Sequence, residues 1–431
     1  MLHDDLKKLN KYPFHMPGHK RNSDFNINGS EIDITEIMDF DNLHSPSGLI
    51  LEIEEKLSVL YHSVKSFMLV NGSTVGLLAT VFAVTEQHDK IIIARNCHKS
   101  VYNACFLREL DVVYIEPEYN EENGFYAEIK QSSIDNAIKG NPDAKAVVLT
   151  SPTYEGYVSN VSANIPIIVD GAHGAHFGFG SFPEYPKGDI VVSSLHKTLP
   201  SLTQTAVLNV YNNALIEKVR MYLDIFQTTS PSYVLMNSVS KCVAFLENSK
   251  RAFEEYEEML NTFYKIKLDN LEIVKTDDKG KLIISTAKCN INGNQLADIL
   301  REKYAIECEM ESINYIILMT SVADIKEAFS ALVNALTEID QTLVKSDIKT
   351  IKKPAIPKKI CNSFEIKKTE KVLLENASGK VSAEYIYAYP PDIPILVPGE
   401  EITSEMIANI DEMYKNYINI ISDSNLLTSY I

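Results

Sequence analysis

A lysine attacks a carbonyl carbon only as a neutral amine, so the lysines that matter are those whose surroundings remove the proton. Lys197 stands in Ser193-Ser194-Leu195-His196-Lys197-Thr198, directly after the apolar run DIVVS. Desolvation and neighbouring positive charge at such a strand end lower an amine's pKa toward the form that makes a Schiff base. Asp170 closes the run PIIVD upstream. A carboxylate held against a pyridine nitrogen keeps the ring protonated, so that it can accept the electrons released when a bond to carbon breaks. Taken alone, Asp170-Gly171-Ala172-His173 also suits a simple turn. Asn71-Gly72-Ser73-Thr74-Val75-Gly76 lies between the run SFMLV and a helical pattern. Small and hydroxyl residues at a helix N-terminus form an anion site, although Ser73 or Thr74 could equally be a plain N-cap. His98, after the run IIIA, offers a ring that could stack on a flat pyridine face or simply open a helix. Each signal is weak singly. In this order (phosphate turn, stacking ring, carboxylate, lysine) they describe a site for pyridoxal phosphate (PLP).

Such residues need a scaffold that brings strand ends together. SFMLV (66–70), IIIA (91–94), VVYI (112–115), AVVLT (146–150), PIIVD (166–170), DIVVSS (189–194) and AVLNV (206–210) are short, continuously apolar and separated by helix-length segments. That pattern predicts buried strands of a mostly parallel sheet covered by helices on both faces, which places ligands at the C-terminal strand ends. Residues 1–50 are turn-rich and read as an arm, and 51–265 as the PLP-binding large domain, with helices over 212–265. Residues 266–345 mix strands (KLIIST, NYIILMT) with helices (GNQLADILREKY, ADIKEAFSALVNALTEI) and read as a small α/β domain. The basic, proline-containing segment VKSDIKTIKKPAIPKK leads into a C-terminal domain, 346–431.

Composition narrows the function class. With 45% hydrophobic and 23% charged residues in 431, the chain is an ordinary globular protein with room for two or three domains. A net charge of −17 argues against nucleic acid as partner. No apolar run has the length of a signal peptide or membrane span, so a cytoplasmic protein is expected. The six cysteines are scattered, with no C-x-x-C pair and no zinc spacing, and read as free thiols; no metal site is expected.

The motifs together closely resemble the fold-type-I PLP enzymes and, within them, the Orn/Lys/Arg decarboxylase family, particularly its short bacterial members related to arginine decarboxylase. The matching stretches are FHMPGHK (14–20), HSPSG (44–48), NGST (71–74), NCHKS (96–100), SPTYEG (151–156), DGAHGAH (170–176), SLHK (194–197), TTSPSY (228–233) and YPPDIP (389–394). The resemblance implies a fold-type-I PLP-dependent transferase architecture: an α/β protein with a mostly parallel seven-stranded sheet domain and smaller α/β C-terminal domains. It implies that Lys197 forms the cofactor imine, Asp170 pairs with the pyridinium and His98 stacks on the ring. Ser73, Thr74, Ser194 and His196 would hold the phosphate, Ala172 would pack on the opposite ring face, and His173 would lie near the ring's phenolic oxygen or the substrate carboxylate. Thr228 and Thr229 resemble the segment that reaches a neighbouring subunit's phosphate, implying a homodimer or higher homo-oligomer with shared sites. Larger family members carry an N-terminal wing domain, for which the early start of the core motifs leaves no place. Where the family reads PPGIP this chain reads PPDIP, so Asp392 sets a carboxylate in place of a glycine.

The expected reaction is decarboxylation of a basic amino acid, arginine first and lysine or ornithine after it, releasing agmatine, cadaverine or putrescine. Transaminases of this fold clamp the α-carboxylate with a small-domain arginine; here no arginine follows Arg301. That suits an enzyme that must expel the carboxylate, unless Arg301 or a lysine substitutes. Acidic partners for a cationic substrate side chain are Glu384 and Asp392, which flank the aromatic run Tyr385-Ile386-Tyr387-Ala388-Tyr389, with Glu400, Glu401 and Glu155 as further candidates. Lys197, His173 and His196 are all candidates for the Cα proton donor. The competing readings are a PLP-dependent aminotransferase and a non-catalytic PLP-binding paralogue.

Overall fold

The sheet forms where the seven apolar runs were expected: β1 (Lys65–Leu69), β2 (Lys90–Ala94), β3 (Asp111–Ile115), β4 (Val147–Thr150), β5 (Ile167–Asp170), β6 (Ile190–Ser193) and β7 (Ala206–Val210). The computed structural model describes residues 2, 5–6, 16–348, 350–388, 393–411 and 416–422. The spatial order is β1-β7-β6-β5-β4-β2-β3, and β7 runs antiparallel to both its neighbours while the other pairings are parallel. In register, Thr150 sits beside Asp170, Asp170 beside Val192, Ser193 beside Val207, and Leu69 beside Ala206. The ends of β1, β4, β5 and β6 and the start of β7 therefore share one sheet edge, and the chemistry-bearing loops all leave from it.

Side chains alternate across the sheet as β geometry requires. Met68 and Val207 face a core built with helices Tyr233–Leu246 and Lys250–Phe263, whereas Phe67, Leu69 and Leu208 face a second core with the helices on the other side. One of these is the helix Gly72–Val84, which lies close on the sheet at Gly76. A Cβ there would come within 2.7 Å of Leu69 Cδ1 and 2.8 Å of Val192 Cγ1, so only glycine permits the approach.

A second, antiparallel sheet follows: β8 (Glu272–Val274), β9 (Lys281–Ser285), β10 (Met310–Glu311) and β11 (Tyr315–Met319), ordered β8-β9-β11-β10. Its helices are Gly293–Tyr304, opened by an Asn292/Gln295 capping box, and Lys326–Asp340. The latter starts later than the apolar pattern suggests, because Asp324 accepts from the Ser321 N–H at 2.7 Å and holds the preceding residues in a turn.

Residues 16–48 run in turns with one short 3-10 helix, Ser23–Phe25. The Asp41 carboxylate accepts from the Ser47, Gly48 and Ile50 N–H groups at 2.8, 2.8 and 3.0 Å, and so anchors this arm to the start of the helix Leu49–Leu60. The basic segment after 344 lies along the first sheet's periphery, with Lys353 on Glu116 at 2.9 Å and Lys359 on Asp111 at 2.8 Å. A last core gathers Leu374, Ala377, Ile386, Leu396, Ile402, Met406, Ile418 and Ile420. No helix among the described residues is long and apolar enough to cross a membrane.

Candidate active site

Lys197 rides on a single helical turn, Leu195–Thr198, directly after β6. Its Nζ lies 3.0 Å from Nε2 of His173, which follows β5. Burial pulls the Lys197 amine's pKa below that of a free lysine, against the opposing pull of Asp170 and Glu309. Asp170 itself is 3% exposed. Burial raises its pKa, opposed by His98 and Lys197, and its described hydrogen bond comes from the Ala172 N–H at 3.2 Å. The positive charges that bear on it are those of His98 and Lys197. A buried carboxylate costs several kcal/mol unless a cation joins it.

The Asn71–Thr74 turn differs from a plain cap. Asn71, not Ser73 or Thr74, is the N-cap residue of the helix Gly72–Val84, and no side chain caps it. The Asn71 carboxamide oxygen instead accepts the Thr228 N–H at 3.0 Å. Ser73 stands inside the first helical turn, where its hydroxyl accepts from the Ser194 hydroxyl at 3.1 Å; Thr74 is exposed beside it. An uncapped helix start flanked by paired hydroxyls is what an anionic group would fill. His196 spends its Nδ1–H on the Thr205 carbonyl at 2.8 Å, and burial keeps the ring neutral. The Thr228 carbonyl accepts from His44 Nε2 at 2.8 Å, and Thr229 is exposed next to it. His98 caps the helix Lys99–Leu107, its Nδ1 accepting from the Ser100 N–H at 3.2 Å, and its charge acts on both Asp170 and His173. Ala172 is buried, its carbonyl accepting from the Ser194 N–H at 3.3 Å.

Several groups at the site escaped the sequence reading. Lys281, first residue of β9 and 1% exposed, places Nζ 2.8 Å from His173 Nδ1. Burial lowers its pKa to about 8, with Asp278 opposing. Tyr154 meets His173 edge-on, with ring centroids 4.9 Å apart, and its hydroxyl donates to Glu309 at 2.8 Å. His176 bonds Asp278 at 3.1 Å; Glu155, already an acidic candidate from the sequence, accepts from the Tyr315 hydroxyl at 3.1 Å while burial pushes its carboxyl up to about 7. A lysine opening an apolar strand reads as a solvated end, and nothing in KLIIST points to a histidine more than a hundred residues away.

Other expected groups lie elsewhere. The Glu384 carboxylate, in the C-terminal unit, accepts from the Asn419 N–H at 2.7 Å and its side-chain amide at 3.2 Å. Asp392 falls outside the described residues. Glu400 is consumed by a buried ion pair with Arg95, which removes it as a substrate partner. Arg301 is held at the surface by Asp298, Glu307 and Glu311, away from the carboxylate-clamping role considered for it.

Residues 4–295 match the major domain of the Orn/Lys/Arg decarboxylases and residues 340–423 their C-terminal domain. The chain belongs to the Orn/Lys/Arg decarboxylase family. It is 34% identical to the uncharacterized protein YaaO of Bacillus subtilis strain 168, over 94% of this chain and 92% of that one. It is 31% identical to the arginine decarboxylase of the same strain, over 96% and 93%. The crystal structure of the Francisella novicida lysine decarboxylase LdcF shares the fold at a TM-score of 0.81, with 17% identity, covering 98% of this chain and 81% of that one. Membership makes this Orn/Lys/Arg decarboxylase family protein a PLP-dependent amino-acid decarboxylase rather than an aminotransferase. The site fits the cofactor: an uncapped helix start for the phosphate, a buried carboxylate for the ring nitrogen, and a desolvated amine for the aldehyde.

Proposed function

We propose that this decarboxylase acts on arginine in preference to lysine or ornithine and that Lys197 carries the cofactor. The observation that carries the reading is the Lys197 amine, half-buried at the sheet edge, under the influence of Asp170 and 3.0 Å from His173. The similarity to arginine decarboxylases over nearly the whole chain supports the substrate choice.

PLP, when bound, supplies an aldehyde for the amine and a ring that takes up the electron pair left at Cα. The chain's own residues do the rest. Asp170 would hold the ring nitrogen protonated, His98 and Ala172 would bracket the ring, and Ser73, Thr74, Ser194 and His196 would surround the phosphate. Thr228 and Thr229 would complete that anion site for a neighbouring subunit in a homodimer. For the Cα proton, the neutral His196 is the poorest donor, because its ring N–H is spent on Thr205; Lys197 and His173 remain. For the substrate's cation, Glu309 is better placed than Glu384, since its charge already acts on Lys197 and its carboxylate is steadied by Tyr154.

Incubating the PLP-loaded protein separately with arginine, lysine and ornithine and identifying the amine formed tests this. Agmatine with stoichiometric CO2 is expected. Cadaverine or putrescine as main product would reassign the substrate. Amine transfer to an added keto acid without CO2 would replace the reaction itself.

A further inference from the structure

His173 sits in a row between two lysines: its Nε2 is 3.0 Å from Lys197 Nζ and its Nδ1 is 2.8 Å from Lys281 Nζ. Burial, with Lys197, Lys281, His98 and His176 around it, keeps the ring neutral. A neutral imidazole offers one N–H and one lone pair in its plane. Two ammonium groups, one at each nitrogen, would set N–H against N–H on one side. One lysine of the row is therefore an amine.

The surroundings decide which. Lys281 Nζ has three acceptors at hand: His173 Nδ1, Met319 Sδ at 3.1 Å, and the face of the Tyr154 ring with its centroid at 5.3 Å. Three acceptors suit the three N–H groups of an ammonium. Asp278, Glu309 and Glu155 add negative potential, against Lys197. Lys197, facing Asp170 and Glu309 electrostatically, has His173 as its hydrogen-bond partner among the described residues.

We propose that Lys281 is a positioning residue: its ammonium donates to His173 Nδ1, fixes the Nε2–H tautomer, and through that N–H holds Lys197 as the neutral, nucleophilic amine. The proposal rests on the reading of Lys197 as the cofactor-carrying residue. The opposite arrangement has an ammonium at Lys197 donating to Nε2 and Nδ1–H donating to an amine at Lys281. Converting it to the proposed one moves a proton from Lys197 to Nε2 and another from Nδ1 to Lys281, leaving the total charge unchanged.

Two readouts on the cofactor-free full chain test this without turnover. Nitrogen-15 NMR of histidine-labelled protein, with His173 assigned from His173→Asn, reports the tautomer. Stopped-flow absorbance reports the rate at which added PLP is captured, as a function of pH. The wild type is expected as Nε2–H. Lys281→Met should lose the fixed tautomer and shift the capture profile upward by about one pH unit, which is roughly tenfold slower capture near neutrality. Lys281→Arg, which keeps a cationic donor, should restore both. A wild-type Nδ1–H tautomer would overturn the proposal, as would a folded Lys281→Met with the wild-type profile; should Lys281→Met not fold, the wild-type tautomer and Lys281→Arg still decide. Lys197→Ala separates the two readings. If it captures PLP like wild type, the nucleophile is misassigned; if it is inert while Lys281→Met is normal, only the role of Lys281 falls.

Discussion

Arg95 and Glu400 form a two-pronged buried ion pair, with Arg95 Nη1 2.7 Å and Nη2 2.9 Å from the two carboxylate oxygens. Arg95 follows β2 at the site edge and also lies over the Tyr114 ring at 4.8 Å, whereas Glu400 belongs to the C-terminal unit. The pair thus bolts that unit to the sheet. Removing one partner strands a buried charge, so Glu400→Ala should cost about 3–5 kcal/mol in urea unfolding. The double variant Arg95→Met/Glu400→Leu should recover most of that loss, because both desolvation penalties vanish together. A double variant no better than the single would show that the ion pair itself is required.

Asp170 is the carboxylate that the cofactor ring is expected to satisfy. Asp170→Asn keeps the shape but removes the charge, so the ring nitrogen loses the partner that keeps it protonated. A loss of about 3–5 kcal/mol of transition-state stabilisation is expected, read as kcat/KM falling by ~10²–10³ or more. A change of only a few-fold would mean that another group protonates the ring.

Glu155 supplies a pH signature. Burial is the main cause of its rise from 4.5 to about 7, partly offset by the Tyr315 hydrogen bond and Lys281. A carboxyl with a raised folded pKa binds its proton more tightly folded than unfolded. Its stabilising contribution is therefore full below pH 4.5 and is lost as the pH climbs through about 7. Across that window the wild type should lose ~3 kcal/mol relative to Glu155→Gln, which carries no titrating group there. Parallel stability profiles for the two proteins would contradict the raised pKa.

Much of the framework was legible because its signals are local. Each of the seven apolar runs is its own evidence for a buried strand, and Asp170, Asn71, Lys197 and His98 each lie at the end of a run or within four residues of it, so a mostly parallel sheet carries them to one edge. The helix Gly293–Tyr304 could be read to the residue, since its cap, Asn292 with Gln295, lies within the pattern. In the helix Gly72–Val84 the cap position falls on Asn71, not on the alternatives Ser73 and Thr74, and its side chain is taken by Thr228, a partner remote in sequence.

By itself, then, the order of residues determined the sheet, the sequence of chemical groups along its edge and hence the cofactor they suit. Those features need only the continuous apolarity of strands buried on both faces and the rule that loops leave from strand ends. Tertiary structure alone decided that Lys281 stands behind His173, that Glu309 rather than Glu400 keeps its charge near the amine, and that Arg95 claims Glu400. These pairings join polar groups 108 and 305 residues apart. Which buried charge meets which is set by how separate sheets pack, and no local pattern of residues encodes that.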